Sequence, residues 1–221
     1  VKNPPWSYSA LSTFEQCPKK YYHLRIAKDV KDEDSEDAAE GRAVHEALYA
    51  RVVKGTPLPL PMRVYERMAL KFISLPGTKS GELKLALNEN LEPTGFFAKD
   101  VWVRAVADLV IDHPSGCVIV DWKTGKQKDS WDQLVLSAAV LAQHMPEADN
   151  FRLVYAWLRD GQCTGRRFTR AELLGTWSGY IERVNKMYAA GKTTNFPARS
   201  SRLCGWCPVK QCPHWFDRSE R

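Results

Sequence analysis

Three residues in one stretch have the types and spacing for metal-dependent chemistry: Asp108, Asp121 and Lys123. They are set into two apolar runs, residues 101–111 and 117–120, joined by His113-Pro114-Ser115-Gly116. Turn-forming residues between two such runs predict a β-hairpin. Two carboxylates at neighbouring strand ends can hold a hard divalent cation, which prefers oxygen ligands. Side chains two apart on a strand point the same way, so Asp121 and Lys123 face one site and Trp122 is turned away. An ammonium beside a bound cation can orient or deprotonate an attacking water, or meet charge that develops on a phosphate. The bland alternative is a hairpin with solvated charges at its ends.

A second group lies in the tail, Cys204-Gly-Trp-Cys207-Pro-Val-Lys-Gln-Cys212-Pro-His214. The Cys-x-x-Cys spacing lets two thiolates reach one centre without straining the backbone, and the three cysteines together make a metal knuckle. Three thiolates leave a tetrahedral site one ligand short, and Cys17 and His214 are the candidates for the fourth. His214 follows Cys212 closely, whereas Cys17-Pro18 repeats the Cys-Pro dipeptide of the tail. A bond from Cys17 to the tail would tie the chain ends together, a staple on the order of several kcal/mol, like a long disulfide loop. Cys117 and Cys163 fall on predicted strands and read as core residues.

These groups need elements to position them. Residues 10–26 show a helical face through Leu11, Phe14, Tyr21, Tyr22 and Leu24, with Ser9 as N-cap and Pro18 as a break. Residues 28–40 are charge-dense and acidic and read as a mobile loop. A helix over 38–53 carries Gly41, Arg42 and His45 on its first turns; a proline-rich connection, 55–61, leads to a second amphipathic helix over 62–74. Residues 82–88 alternate as a strand with Glu82 at its start, and 90–94 form a turn. A helix over 130–143 has Gln133 near its head. Residues 151–158 and 162–168 flank Asp160-Gly161 as a second hairpin. Thr169 caps a long helix over 170–190 through a start lacking the full capping box, and 195–221 form an irregular tail. This order of elements argues for a mixed α/β sheet flanked by helices.

At 221 residues the chain has room for one large domain, or one domain and a small appendage. Its 44% hydrophobic and 26% charged residues suit a soluble globular protein. A net charge of +6 mildly favours an anionic partner. No apolar run approaches bilayer length and the N-terminus lacks a secretory pattern, so a cytoplasmic protein is expected. Six cysteines in such a chain read as metal ligands or buried thiols rather than a disulfide framework.

Taken in order, these motifs resemble the RecB-type branch of the PD-(D/E)XK nuclease superfamily. The likeness is to its iron–sulfur members: CRISPR-associated RecB-like exonucleases, AddB nuclease domains and phage relatives. The family opens with a Ser-x-Ser-x-Leu-x-x-Phe-x-x-Cys-Pro-x-x-Tyr segment; here Ser7, Ser9, Leu11, Phe14, Cys17, Pro18 and Tyr21 or Tyr22 lie close to it. A Gly-x-x-x-His helix is matched by Gly41 and His45, the strand-closing Asp by Asp108, and Asp-x-Lys-Thr by Asp121-Trp122-Lys123-Thr124. Gln133-Leu134 matches the Gln-Leu of the following helix, and the three-cysteine tail ends the series. Two features depart from the pattern: Ser137 stands where the family usually has Tyr, and four residues rather than about five separate the last two cysteines.

The resemblance implies a restriction-endonuclease-like fold spanning residues 1–221 as a single nuclease domain, with 1–26 and 195–221 forming an iron–sulfur subdomain. It implies a DNA exonuclease, running 5′ to 3′ as iron–sulfur relatives often do and preferring single strands or free ends. His45, Asp108, Asp121 and the carbonyl of Trp122 would hold Mg²⁺ or Mn²⁺, the imidazole leaning toward Mn²⁺. Lys123 would position the hydroxide or steady the phosphorane, and Gln133 would orient the nucleophile or a phosphate. Glu82 matches an acidic position upstream in the family and reads equally well as a strand-edge charge. Cys17, Cys204, Cys207 and Cys212 would bind a structural 4Fe-4S cluster, zinc being the alternative. Arg199, Arg202, Lys210, Arg218 and Arg221, with Trp206 and Trp215, could line a groove for single-stranded DNA. Family relatives sometimes form homo-oligomeric rings, and recombination or CRISPR proteins are the partners implied. A DNA-binding adaptor on a decayed nuclease fold and a zinc-stapled endonuclease are the competing readings.

Overall fold

The alternating apolar runs build one five-stranded sheet in the order β1-β2-β3-β4-β5. The strands are β1 Thr78–Leu87, β2 Val103–His113, β3 Gly116–Lys123, β4 Asn150–Trp157 and β5 Gln162–Thr169. A computed structural model of the chain describes residues 4–32, 36–127 and 129–218. All neighbouring strands are antiparallel except β3 and β4, which run parallel. A parallel pair needs a crossover, and the helix between β3 and β4 supplies it. The helices are α1 Tyr8–Gln16, α2 Pro18–Tyr21, α3 Glu36–Lys54, α4 Glu66–Ile73, α5 Asp132–His144, α6 Arg170–Gly175 and α7 Trp177–Thr193. A mixed sheet flanked by helices is thus the restriction-endonuclease-like α/β fold. Among the described residues no helix is long and apolar enough to cross a membrane.

The chain divides into two compact units, Val1–Asp34 with Ser178–Arg221, and Ser35–Trp177. In the larger, Val44, Leu48 and Val52 of α3 and Met68, Ala69 and Phe72 of α4 pack on Leu109, Ile111, Val120, Trp122, Val154 and Ala156 of the sheet. Helix α5 is buried nearly all round, as a helix apolar on every face must be, and lies against β1 to β4. Arg170 donates to the carbonyls of Ala142 and Met145, placing its cation at the C-terminus of α5.

In the smaller unit, Arg183 pairs with Glu15 at 2.6 Å, Tyr188 donates to the carbonyl of Pro4, and Phe196 packs on Tyr21 and Tyr22. Helix α1 ends at Gln16 and Cys17 is extended, φ −160° and ψ 107°. The ring of Pro18 excludes the helical conformation from the residue before it. Pro18 then opens α2, and a π-helical turn, Tyr22–Ala27, follows.

Several expectations need correction. Ser7, not Ser9, caps α1: its backbone is extended and its Oγ accepts from Ala10 N, whereas Ser9 lies within the helix. The acidic stretch is not loop throughout, since α3 begins at Glu36. The helix over 62–74 is a 3-10 turn, Leu60–Tyr65, followed by α4. Glu82 sits inside β1 rather than at its start. Thr169 does make the full capping box, because the third helical residue is Glu172, whose carboxylate accepts from Thr169 N at 2.7 Å. The helix it opens stops at Gly175, where Thr176 turns its hydroxyl back onto the Leu173 carbonyl. Cys117 is buried, but Cys163 is an exposed residue of the edge strand β5, its Sγ 3.4 Å from Met68 Sδ.

Candidate active site

The site is built where β1, β2 and β3 pass under α3 and the head of α5. Between the pairs Gly81↔Leu109 and Leu83↔Ala107, Glu82 and Asp108 face each other across the ladder. A side chain on Gly81 would collide with the ring of Tyr49, so this glycine lets α3 settle against β1. That approach brings His45 of α3 to the carboxylates: its Nδ1 lies 3.3 Å from Asp108 Oδ2. The ligand atoms of His45, Glu82 and Asp108 all lie within 4.8 Å of one another. Asp108 Oδ2 also accepts from the backbone N–H of Trp122 at 2.9 Å, which ties β2 to β3 beside the site.

Asp121 and Lys123 share a face of β3 and the Trp122 side chain is buried on the other. Lys123 Nζ lies 2.7 Å from Asp121 Oδ2 and donates to Gln133 Oε1 at 3.2 Å. The Asp121 contact is an ion pair rather than an aligned hydrogen bond, and it leaves Oδ2 buried without a well-directed donor. Burial, then the Asp108 charge, push the Asp121 carboxyl up to about 6, against the pull of Lys123. Burial and Asp108 raise Glu82 as well. At His45 burial opposes the proton, but the bond to Asp108 and the charges of Asp108, Asp121 and Glu82 outweigh it and raise the imidazole above its ordinary value.

Three carboxylates crowded against one another, one of them with a buried, poorly served oxygen, are what a divalent cation would relieve. The residues present therefore fit such an ion. The set within 4.8 Å contains Glu82, whose role the sequence left open, while Asp121 stands beside it, drawn to Lys123. The signal that could single out Glu82 is long-range, its place opposite Asp108.

In the smaller unit Cys17, Cys204, Cys207 and Cys212 line one cavity of about 210 Å³, with Lys20, Arg199 and Trp215. His214 does not line it. Backbone N–H groups of Arg199 and Ser201 point at the sulfurs of Cys17 and Cys204, at 3.5 and 3.3 Å. Among the described residues no three of these sulfurs lie within 4.8 Å of one another, so they form no tight knot for one ion. Arg199 is turned to the Glu15 carbonyl, Arg218 stacks over the exposed ring of Trp206 at 4.7 Å, and Arg221 lies outside the described residues.

A sheet of this order, with carboxylates and a lysine where its strands meet a helical histidine, defines a class, the metal-dependent nucleases of restriction-endonuclease-like fold. The family model of the PD-(D/E)XK nuclease superfamily matches residues 5–213, and the chain belongs to that superfamily. No curated protein matches the sequence. Among solved structures, the "Putative exonuclease" from Eubacterium rectale aligns over 95% of this chain and 86% of its own, at 13% identity and a TM-score of 0.52, a likeness of fold. The protein named SSO0001 aligns over 98% and 89%, at 14% identity and a TM-score of 0.46.

Proposed function

We propose that this nuclease is a DNA exonuclease acting on single strands or free ends, 5′ to 3′, with Asp108, Asp121, Lys123 and Gln133 as its reactive set. The observation that carries the reading is the Glu82–Asp108–His45 group beside the Asp121–Lys123–Gln133 chain. Mg²⁺ or Mn²⁺, held by His45, Asp108, Asp121 and the Trp122 carbonyl with Glu82 in reach, would supply Lewis-acid polarisation and an acidified water. Lys123, pinned between Asp121 and Gln133, directs its ammonium to where a water and a phosphate oxygen would meet. Gln133 orients that ammonium and the nucleophile. Asp108, anchored by the Trp122 N–H, is held in place for the cation.

The whole chain then works as one nuclease domain, with residues 1–26 and 195–221 as a cluster-bearing part. The donor chemistry of the four cysteines fits a 4Fe-4S group: they line one cavity, and backbone N–H groups point at the sulfurs of Cys17 and Cys204. Zinc, tetrahedral with thiolate ligands, is the alternative occupant. That role is structural, since hydrolysis needs no electron. Recombination, repair or CRISPR adaptation in a bacterial or phage-infected cytoplasm is the setting this reading suits.

End-labelled single-stranded DNA with Mn²⁺ tests the proposal, using linear and circular substrates and wild type against Asp121→Ala. Wild type should degrade the linear strand and spare the circle, and the variant should lose about a hundredfold or more. Equal activity of the two proteins would remove the assigned site, and cutting of circles would make the enzyme an endonuclease. Iron analysis with absorbance near about 400 nm separates cluster from zinc, which is colourless.

A further inference from the structure

Beyond the carboxylates, the open face of β2 runs Asp108, Val106, Arg104, alternating with buried Ala107, Ala105 and Val103. Val106 is 42% exposed on this face, an unusual place for an aliphatic strand residue. Its partner on β1 is Lys84, two residues from Glu82, so the row next to the acidic pair is cationic and apolar. Phe96 and Phe97, from the loop before β2, close over this row. Arg104 Nε donates to the Phe96 carbonyl at 2.8 Å, fixing the loop to the strand. Lys84 and Arg104 both lie within 6 Å of both phenylalanine ring centroids. Phe97 is nevertheless 77% exposed. From Asp108 to Arg104 is four strand residues, about 13 Å.

The geometry points to a subsite for an unpaired nucleic-acid strand on this face, with Phe97 stacking a base and Lys84 and Arg104 taking phosphates beyond the scissile one. Two cations interleaved with an outward-facing aromatic ring are the chemistry that recognises a single strand without regard to sequence. An exposed phenylalanine with two cations near its ring presents apolar surface and positive charge together, which suits a base and its phosphate. The face is continuous with the candidate metal site through Glu82 and Asp108, so a strand lying along it leads there. The inference rests on the nuclease reading for that direction only.

The test is binding of a fluorescent single-stranded oligonucleotide in EDTA, followed by steady-state cleavage with Mn²⁺. Phe97→Ala should weaken binding about tenfold and raise KM alike, the loss falling on KM rather than kcat. Lys84→Gln with Arg104→Gln should lower the slope of log affinity against log salt by about 0.7 per cation. Leu60→Ser, which removes an equally exposed apolar side chain elsewhere, should bind as wild type. Thermal melts confirm folding, and Phe97→Tyr, keeping a stacking face, should restore affinity. If wild type cleaves but the Phe97 and Lys84/Arg104 variants bind and cleave like it, the subsite falls, as it would for a face that docks a protein. If wild type binds but cleaves nothing, and Phe97→Ala still weakens binding, the subsite stands and the nuclease reading falls.

Discussion

Glu82 faces Asp108 across the β1–β2 ladder, and at that point Glu82 adopts a left-handed backbone, φ 49°, inside an otherwise extended strand. The conformation costs a non-glycine residue about 1–2 kcal/mol, and it persists because the ladder on either side holds it. Strain of this kind gathers at ligand sites. Glu82→Gly should relieve both the backbone strain and the repulsion from Asp108. In EDTA the variant should melt about 2–4 °C above wild type, while its upward shift on adding Mn²⁺ should shrink. A lower melting point in EDTA would mean that Glu82 serves the fold and not the ion.

The legible part of this site was local. Asp121 and Lys123 two apart on a strand, the turn before Gly116, and the period of α3 all follow from near-neighbour rules, and the ordered motifs supplied the family. What lay beyond reach was contact between distant strands. Glu82 acquires meaning only opposite Asp108, and nothing within residues 78–87 announces its left-handed backbone. Phe96 and Phe97, just past the turn read at 90–94, likewise carry no signal of their own until the register sets Lys84 and Arg104 against them. Cys163 was misread because strand periodicity does not reveal which strand will be an edge.

In EDTA protons should stand in for a cation. Burial and Asp108 raise Asp121, and Asp108, Asp121 and Glu82 raise His45 despite its burial. A folded chain that holds protons its unfolded form has released is stabilised below the ordinary values and loses that stability as pH rises through the raised ones. The melting point in EDTA should therefore fall from about pH 4 through about pH 6, the span of the Asp121 shift, and go on falling above about pH 6.5 as His45 gives up its proton. Asp121→Asn or saturating Mn²⁺ should flatten the fall. A level profile in EDTA for wild type would contradict this account.

Gly116 carries the return of the first hairpin at φ 136°, and a Cβ there would stand 2.7 Å from the Asn150 carbonyl oxygen. Both the backbone and the neighbour resist a side chain. Gly116→Ala should cost about 1–3 kcal/mol in chemical denaturation, with the denaturant slope unchanged. A neutral result would show that the turn and β4 shift freely.

The thiols should react in an order set by burial. Cys163 is exposed on β5, its thiol raised by partial burial against the pull of Lys71 and Arg152, while Cys117 is buried and pushed up to about 12 by burial first and Asp112 second. Only the thiolate attacks, so a maleimide pulse on the native protein should mark Cys163 and spare Cys117 until the chain unfolds. Cys17, Cys204, Cys207 and Cys212 should be protected in iron-loaded protein and become reactive after chelation. Equal labelling of the four before and after chelation would argue against thiolate ligation there.

Lys123 sits against Asp121, a proposed ligand of the cation: its ammonium lies 2.7 Å from Asp121 Oδ2 and reaches Gln133 Oε1 at 3.2 Å. In the metal-free protein it offsets part of the carboxylate charge, so it competes with an incoming ion. In the proposed reaction it has the opposite value, because it would bring a positive charge to the developing phosphorane. Lys123→Met should therefore split the two effects. Mn²⁺ affinity, read by titration, should stay the same or rise, while kcat should fall about 10²–10⁴-fold. Lys123→Arg keeps the charge but cannot yield a proton, so its activity reports which role matters. Activity near wild type would make Lys123 an electrostatic group, and activity as low as in the methionine variant would leave deprotonation or the compact ammonium geometry as its contribution. A loss of Mn²⁺ affinity in Lys123→Met, matching its loss of kcat, would instead show that the lysine only holds Asp121 in place.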